Sequence, residues 1–115
     1  MMKHIEKIWG WEKIIVNNEL YCVKFIHIKD GYRNSMQYHK NKDETFFILG
    51  GKMLLEIGEG DTHEEMEMLP GDTYRIKPNT LHRYSGIEDA TFLEISTHFD
   101  IEDTYQVIKG GKISE

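Results

Sequence analysis

The chain has 115 residues, of which 39% are hydrophobic and 11% aromatic, the size of one domain with enough apolar material for a real core. A formal net charge of -6 and a pI near 5.5 exclude a broad basic field for nucleic acid, yet leave room for a locally basic pocket. Met1–Glu6 lacks the apolar stretch of a secretory signal, and no apolar run is long enough to cross a membrane. The expectation is one cytoplasmic domain, residues 1–115, without nucleic-acid or membrane partners.

The elements read as short β-type runs separated by turn residues. Leu20–Ile28 carries the first, and Cys22, the only cysteine, lies in it as a buried small side chain. A lone thiol permits neither an internal disulfide nor a cysteine-based zinc site. Thr45–Leu49 and Met53–Ile57 flank Gly50-Gly51-Lys52, the pattern of a tight hairpin. The acidic run Glu59–Glu67 reads as a solvated hairpin turn, and Leu69-Pro70-Gly71-Asp72 as a type II turn. Thr73–Lys77 and Thr91–His98 are further strands, and Ile101–Val107 is expected to form one helical turn. Many short strands at this spacing predict an all-β sandwich or barrel.

The chemistry concentrates in two segments. In Gly31–Glu44, Gln37 and His39 stand two apart, so a strand puts both on one face. Glu44 opens the following strand, where a hairpin brings its carboxylate beside the His39 imidazole. The second segment, Gly71–His82, ends on His82. One amide oxygen, two imidazoles and one carboxylate suit one divalent transition metal (Zn, Mn, Fe, Co or Ni), with positions left for water or substrate.

These segments resemble the two motifs of the cupin superfamily. The glycine, the two-apart ligand pair, the glutamate and the closing Gly51 match motif 1, with Gln37 where many cupins carry histidine; Gly71, Pro78 and His82 match motif 2. Gln37-Tyr38-His39 with Glu44 is similar in particular to the type II mannose-6-phosphate isomerase domain. Trp9-Gly10-Trp11-Glu12 and Glu102-Asp103 resemble its two ends. The chain departs from that pattern at Thr45 and Phe46, at Lys42 where arginine is usual, at Lys77 and Asn79, and at Gly86. The resemblance implies a small cupin barrel (a double-stranded β-helix or jelly roll). It also implies a metal held by Gln37, His39, Glu44 and His82, and sugar or sugar-phosphate isomerase or epimerase activity.

Arg33 and Lys42 lie beside the ligands and are candidates for gripping the anionic end of a carbohydrate. Glu94 and His98 share a strand parity with Ser96 and are candidate acid–base groups. Tyr38 alternates out of the metal face and reads as packing, while Trp9 and Trp11 read as cover for a barrel or dimer surface. His4, His27 and His63 read as structural or exposed. Strand edges and the tryptophan-bearing N-terminus suggest a homodimer. A non-catalytic sugar-binding cupin and an iron-dependent dioxygenase share the same ligand sphere and stay open as alternatives.

Overall fold

A computed structural model describes residues 3–113. β1 (Lys3–Lys7), β2 (Gly10–Asn17), β3 (Cys22–Ile28), β6 (Glu44–Gly50), β9 (Thr73–Ile76) and β11 (Ala90–Ser96) form one sheet in the order β1-β2-β3-β11-β6-β9. The facing sheet is built on β10 (His82–Gly86). On one side β10 pairs with β4 (Tyr32–Arg33) and β5 (Met36–His39), and on the other with β7 (Met53–Ile57). β8 (Glu64–Met68), β12 (Thr104–Ile108) and β13 (Gly111–Lys112) complete it, and all strand pairings are antiparallel. Among the described residues no helix is long and apolar enough to cross a membrane.

Strict period-two alternation on β3, β6 and β11 sorts the chain into core and surface. Inward from β3 point Cys22, Lys24, Ile26 and Ile28; from β6, Glu44, Phe46 and Ile48; from β11, Ala90, Phe92, Glu94 and Ser96. The register aligns these rows by character. Phe92 opposes Ile26 and Ile48, whereas Glu94 opposes Lys24, and Ser96 opposes both Cys22 and Glu44. One end of the barrel is therefore a sealed apolar plug, in which Phe46, Tyr84 and Phe92 meet with ring centroids 5.0 to 5.7 Å apart. The other end is lined with buried charge. Trp9, expected at the surface, belongs to the core against Tyr84. Trp11 does lie on the outer face, stacked on His27.

Turn chemistry follows the sequence in two places. Gly51 has φ +78, and a Cβ there would meet the Asp89 carbonyl oxygen at 2.0 Å, so the hairpin between β6 and β7 requires glycine. The Asp72 N–H donates to the Leu69 carbonyl at 2.9 Å, with Gly71 at φ +93. Two expectations need correction. Only Gly60–Thr62 of the acidic run is a turn, of 3-10 type, and Glu64–Met68 continues as an edge strand. Its glutamates face water while Met68 is buried, a charged edge of the kind that resists stray pairing. Likewise Ile101–Asp103 is one 3-10 turn, but Thr104–Ile108 is a strand. The free side of β5 offers it a ladder, and Tyr105 stacks on Tyr38 at 5.1 Å.

Outside the barrel Glu56 and Arg83 form a buried pair, with Arg83 Nε donating to Glu56 Oε2 at 3.1 Å. Burial pushes the Glu56 carboxyl up, but the Arg83 hydrogen bond and charge outweigh it and hold it below the ordinary carboxylate range. A depressed carboxylate contributes stability above its unfolded value, near 4.3, and that contribution is lost as pH falls through the folded value. Glu56→Gln is expected to cost about 1.5–3 kcal/mol at neutral pH, the scale of a charge-assisted hydrogen bond. Urea denaturation should show the gap between wild type and variant closing as pH drops below about 4.

Candidate metal centre

Three buried side chains converge at the polar end of the barrel. Glu44 Oε2 lies 3.3 Å from His39 Nε2 and 3.2 Å from His82 Nε2, and one ligand atom from each of the three falls within 4.8 Å of the others. The opposite ring nitrogens are already committed. His39 Nδ1 donates to the Asp103 carbonyl at 3.3 Å, and His82 Nδ1 donates to the Thr80 carbonyl at 2.8 Å. A carbonyl can only accept, so these contacts fix the tautomers and leave each Nε2 with a lone pair. His39 Nε2, His82 Nε2 and Glu44 Oε2 are all buried without a hydrogen-bond partner. Three orphaned acceptors facing one another are costly, and a cation among them satisfies all three. The donor set fits a borderline divalent ion.

Asp103 shapes the loop that carries two of these groups. Its carboxylate accepts from the backbone N–H of Lys40, Asn41 and Lys42 at 3.0 to 3.2 Å, while its own carbonyl takes the His39 ring. On the other side Asn79, at φ +67, donates its N–H to the His39 carbonyl at 2.6 Å. This sets the turn before His82, and asparagine tolerates such a φ. Gln37 is paired in register with His82, which places both on one face. Its Oε1 accepts from Ser35 Oγ at 2.7 Å.

Beyond the triad runs a chain of buried charge. Lys42 Nζ lies 3.5 Å from Glu44 Oε1 and 2.9 Å from Glu94 Oε2; Lys24 Nζ lies 4.0 Å from the same Glu94 oxygen and 3.5 Å from Glu12. Both ammonium groups also sit over the Phe99 ring. Burial pushes Lys42 down, but Glu94 and Glu44 outweigh it and raise it well above the ordinary lysine value. Burial pushes the Glu44 carboxyl up; the Lys42 ammonium, 3.5 Å away, opposes that, and the group lies well below its ordinary range. Glu44 is therefore a carboxylate. His39, Lys42, Glu94 and Gln37 all line one cavity of about 310 Å³, roofed by Ile5 of β1.

The other candidates are scattered. Lys42 is at the cavity but bound to two carboxylates, so its charge is already engaged and not free to grip an anion. Arg33 pairs in register with Ser85, next to the inward Tyr84, so strand parity puts it on the outer face. β11 ends at Ser96, which breaks the parity expected for His98; His98 is exposed, with Nδ1 2.8 Å from the Asn18 carbonyl oxygen. Lys24, Glu12 and the anchoring role of Asp103 were not anticipated. Lys24 carried a signal, a charge at an inward position of an apolar strand; the role of Asp103 had none, because its partners lie about sixty residues away.

A family model described as a cupin domain matches residues 24–96. The chain belongs to the cupin family. This cupin is 32% identical to the D-lyxose/D-mannose isomerase of Thermosediminibacter oceani over 114 aligned residues, covering 77% of this chain and 62% of the relative. It thus spans under two-thirds of that isomerase. Oxalate decarboxylase of Bacillus subtilis superposes with a TM-score of 0.83 at 17% identity, over 92% of this cupin and 30% of that chain. That decarboxylase has Mn(II) centres. KdgF of a Halomonas species superposes with a TM-score of 0.76 at 14% identity, over 89% of both chains. At such identities the superpositions show the fold.

The buried charges make Lys42 a sensitive position. Lys42→Met is expected to cost about 3–5 kcal/mol, because it strands Glu94 and Glu44 in the interior. Adding Glu94→Gln should recover part of the loss, and a double-mutant cycle by chemical denaturation measures the coupling.

Proposed function

We propose that this cupin is a metal-dependent isomerase of a sugar or sugar phosphate, interconverting aldose and ketose. The observation that carries the reading is the trio of orphaned acceptors on His39, Glu44 and His82, of which His39 lines a cavity of about 310 Å³. The 32% identity to a sugar isomerase supports it. His39, Glu44 and His82 would hold the ion, with the Gln37 amide oxygen as fourth ligand. When bound, a divalent ion there supplies Lewis-acid polarisation of neighbouring sugar oxygens. Lys42 keeps Glu44 ionised and in place. Glu94, fixed on the cavity wall by Lys42 and Lys24, is the group we assign to proton transfer. Its carboxylate takes the proton from the carbon beside the carbonyl and returns it to the former carbonyl carbon, while the proton of the neighbouring hydroxyl passes to the former carbonyl oxygen, so no atom is gained or lost. Phe99 and Ile5 limit water at the reacting carbons. A non-catalytic sugar binder is the second reading, favoured by the two ammonium groups that already engage Glu94.

Metal-loaded protein should contain near-stoichiometric transition metal by elemental analysis, and His39→Ala with His82→Ala should lose it. In heavy water, NMR should show deuterium entering the carbon beside the carbonyl of a suitable aldose or ketose. Exchange should fall at least a hundredfold in Glu94→Gln with the metal retained, the lower end of what a general base contributes. Metal retained by the double histidine variant overturns the ligand assignment, and saturable sugar binding with no exchange establishes the binder. We infer a homodimer through the outer face of the six-stranded sheet, where Ile95 is 44% exposed. Sedimentation should show a dimer for wild type and a monomer for Ile95→Lys.

A further inference from the structure

A second cavity of about 220 Å³ adjoins the metal-facing one, sharing Lys7, Glu12, Gln37, Tyr84 and Gln106 with it. Its character differs. Lys7 and Lys109 both line it, and among the described residues neither ammonium has a carboxylate partner. This contrasts with Lys24 and Lys42, which are each held by glutamates. The one carboxylate on its wall, Glu12, is already paired with Lys24 at 3.5 Å.

A neutral donor completes the set. Asn34 is 3% exposed and lines this cavity. Its Oδ1 accepts the Tyr84 N–H at 2.8 Å; a backbone N–H can only donate, so the amide is oriented with its NH₂ as the remaining group. Gly110 holds the corner together. A Cβ there would come within 2.6 Å of the Asn34 carbonyl carbon, so the absence of a side chain lets the connection carrying Lys109 close over Asn34. Two free ammonium groups and an amide donor around one small cavity match a doubly charged tetrahedral oxyanion, whereas a carboxylate needs only one charge.

We propose that this second cavity binds the phosphate of a sugar phosphate through Lys7, Lys109 and Asn34, while the carbonyl end lies at His39, Glu44 and His82. The proposal rests on the isomerase reading for the position of the carbonyl end only. It replaces Arg33, which faces outward, and Lys42, whose charge is already used. The electrostatics agree: on the wall of the metal-facing cavity Lys3, Lys7, Lys24 and Lys42 outnumber Glu12 and Glu94. Lys7 and Lys109 extend that field towards the second cavity and draw in an anion.

The test uses the full metal-loaded chain, with Lys7→Gln, Lys109→Gln and the pair combined. Inorganic phosphate titrated against wild type should saturate by calorimetry, and the combined variant should weaken it at least tenfold, with Lys7→Arg keeping most of the affinity. In the heavy-water assay, KM for mannose 6-phosphate should rise at least tenfold more than KM for mannose. Phosphate binding that is indifferent to the substitutions overturns the proposal, as does a glucuronate affinity equal to that of the phosphorylated sugar. If no sugar exchanges deuterium the isomerase reading fails, and the phosphate titration still decides the anion site by itself.

Discussion

The site depends on a single unfavourable proximity. A carboxylate oxygen lies 3.3 Å and 3.2 Å from two imidazole nitrogens in the interior, all three acceptors, with the imidazole protons directed elsewhere by Asp103 and Thr80. Among the described residues none donates to them. The fold tolerates this because the imidazoles come from two different strands, each anchored independently. The second ring nitrogen of each histidine is held by a backbone carbonyl, which sets ring orientation as it does in metal sites generally. The electrostatic problem is left for a cation to resolve.

The division of the barrel into an apolar end and a charged end makes that arrangement stable. Phe46 and Glu44 are neighbours on the inward face of one strand, and Phe92 and Glu94 on another. Each strand thus carries both the plug that holds the sheets together and the charge that faces the cavity. The buried glutamates and lysines alternate in a chain, so each charge has an opposite neighbour and no ion is left alone in low dielectric. Phe99 stacks beneath both ammonium groups, which joins the charge network to the segment just before Asp103. The residues that position His39 and those that neutralise the interior therefore belong to one connected structure.

Much of this was legible in the residues. Alternation identified the central strands to within about two residues at each end. The two-apart spacing of Gln37 and His39, with Glu44 opening the next strand, brought the ligands to one place because strand parity is rigid. The same rule failed for His98, since β11 stops at Ser96, and for Arg33, whose short strand faces outward. Lys42 was read as a candidate grip for an anion because its pairing with Glu94 crosses about fifty residues of chain, a distance at which local pattern carries no information. The late strand Thr104–Ile108 was missed for a related reason: its stabilisation comes from the open side of β5 and from Tyr38, not from its own propensity.

The location of the cation is the central claim, and anomalous diffraction from metal-loaded crystals addresses it most directly. The expected result is one peak per chain, about 2.0–2.2 Å from Nε2 of His39, Nε2 of His82 and an oxygen of Glu44. The same peak should be absent from the His39→Ala, His82→Ala double variant. A peak at Glu56, His63 and Glu65 instead, where a second set of ligand atoms lies within 4.8 Å, would contradict it. So would the absence of any bound ion from the barrel at saturating metal.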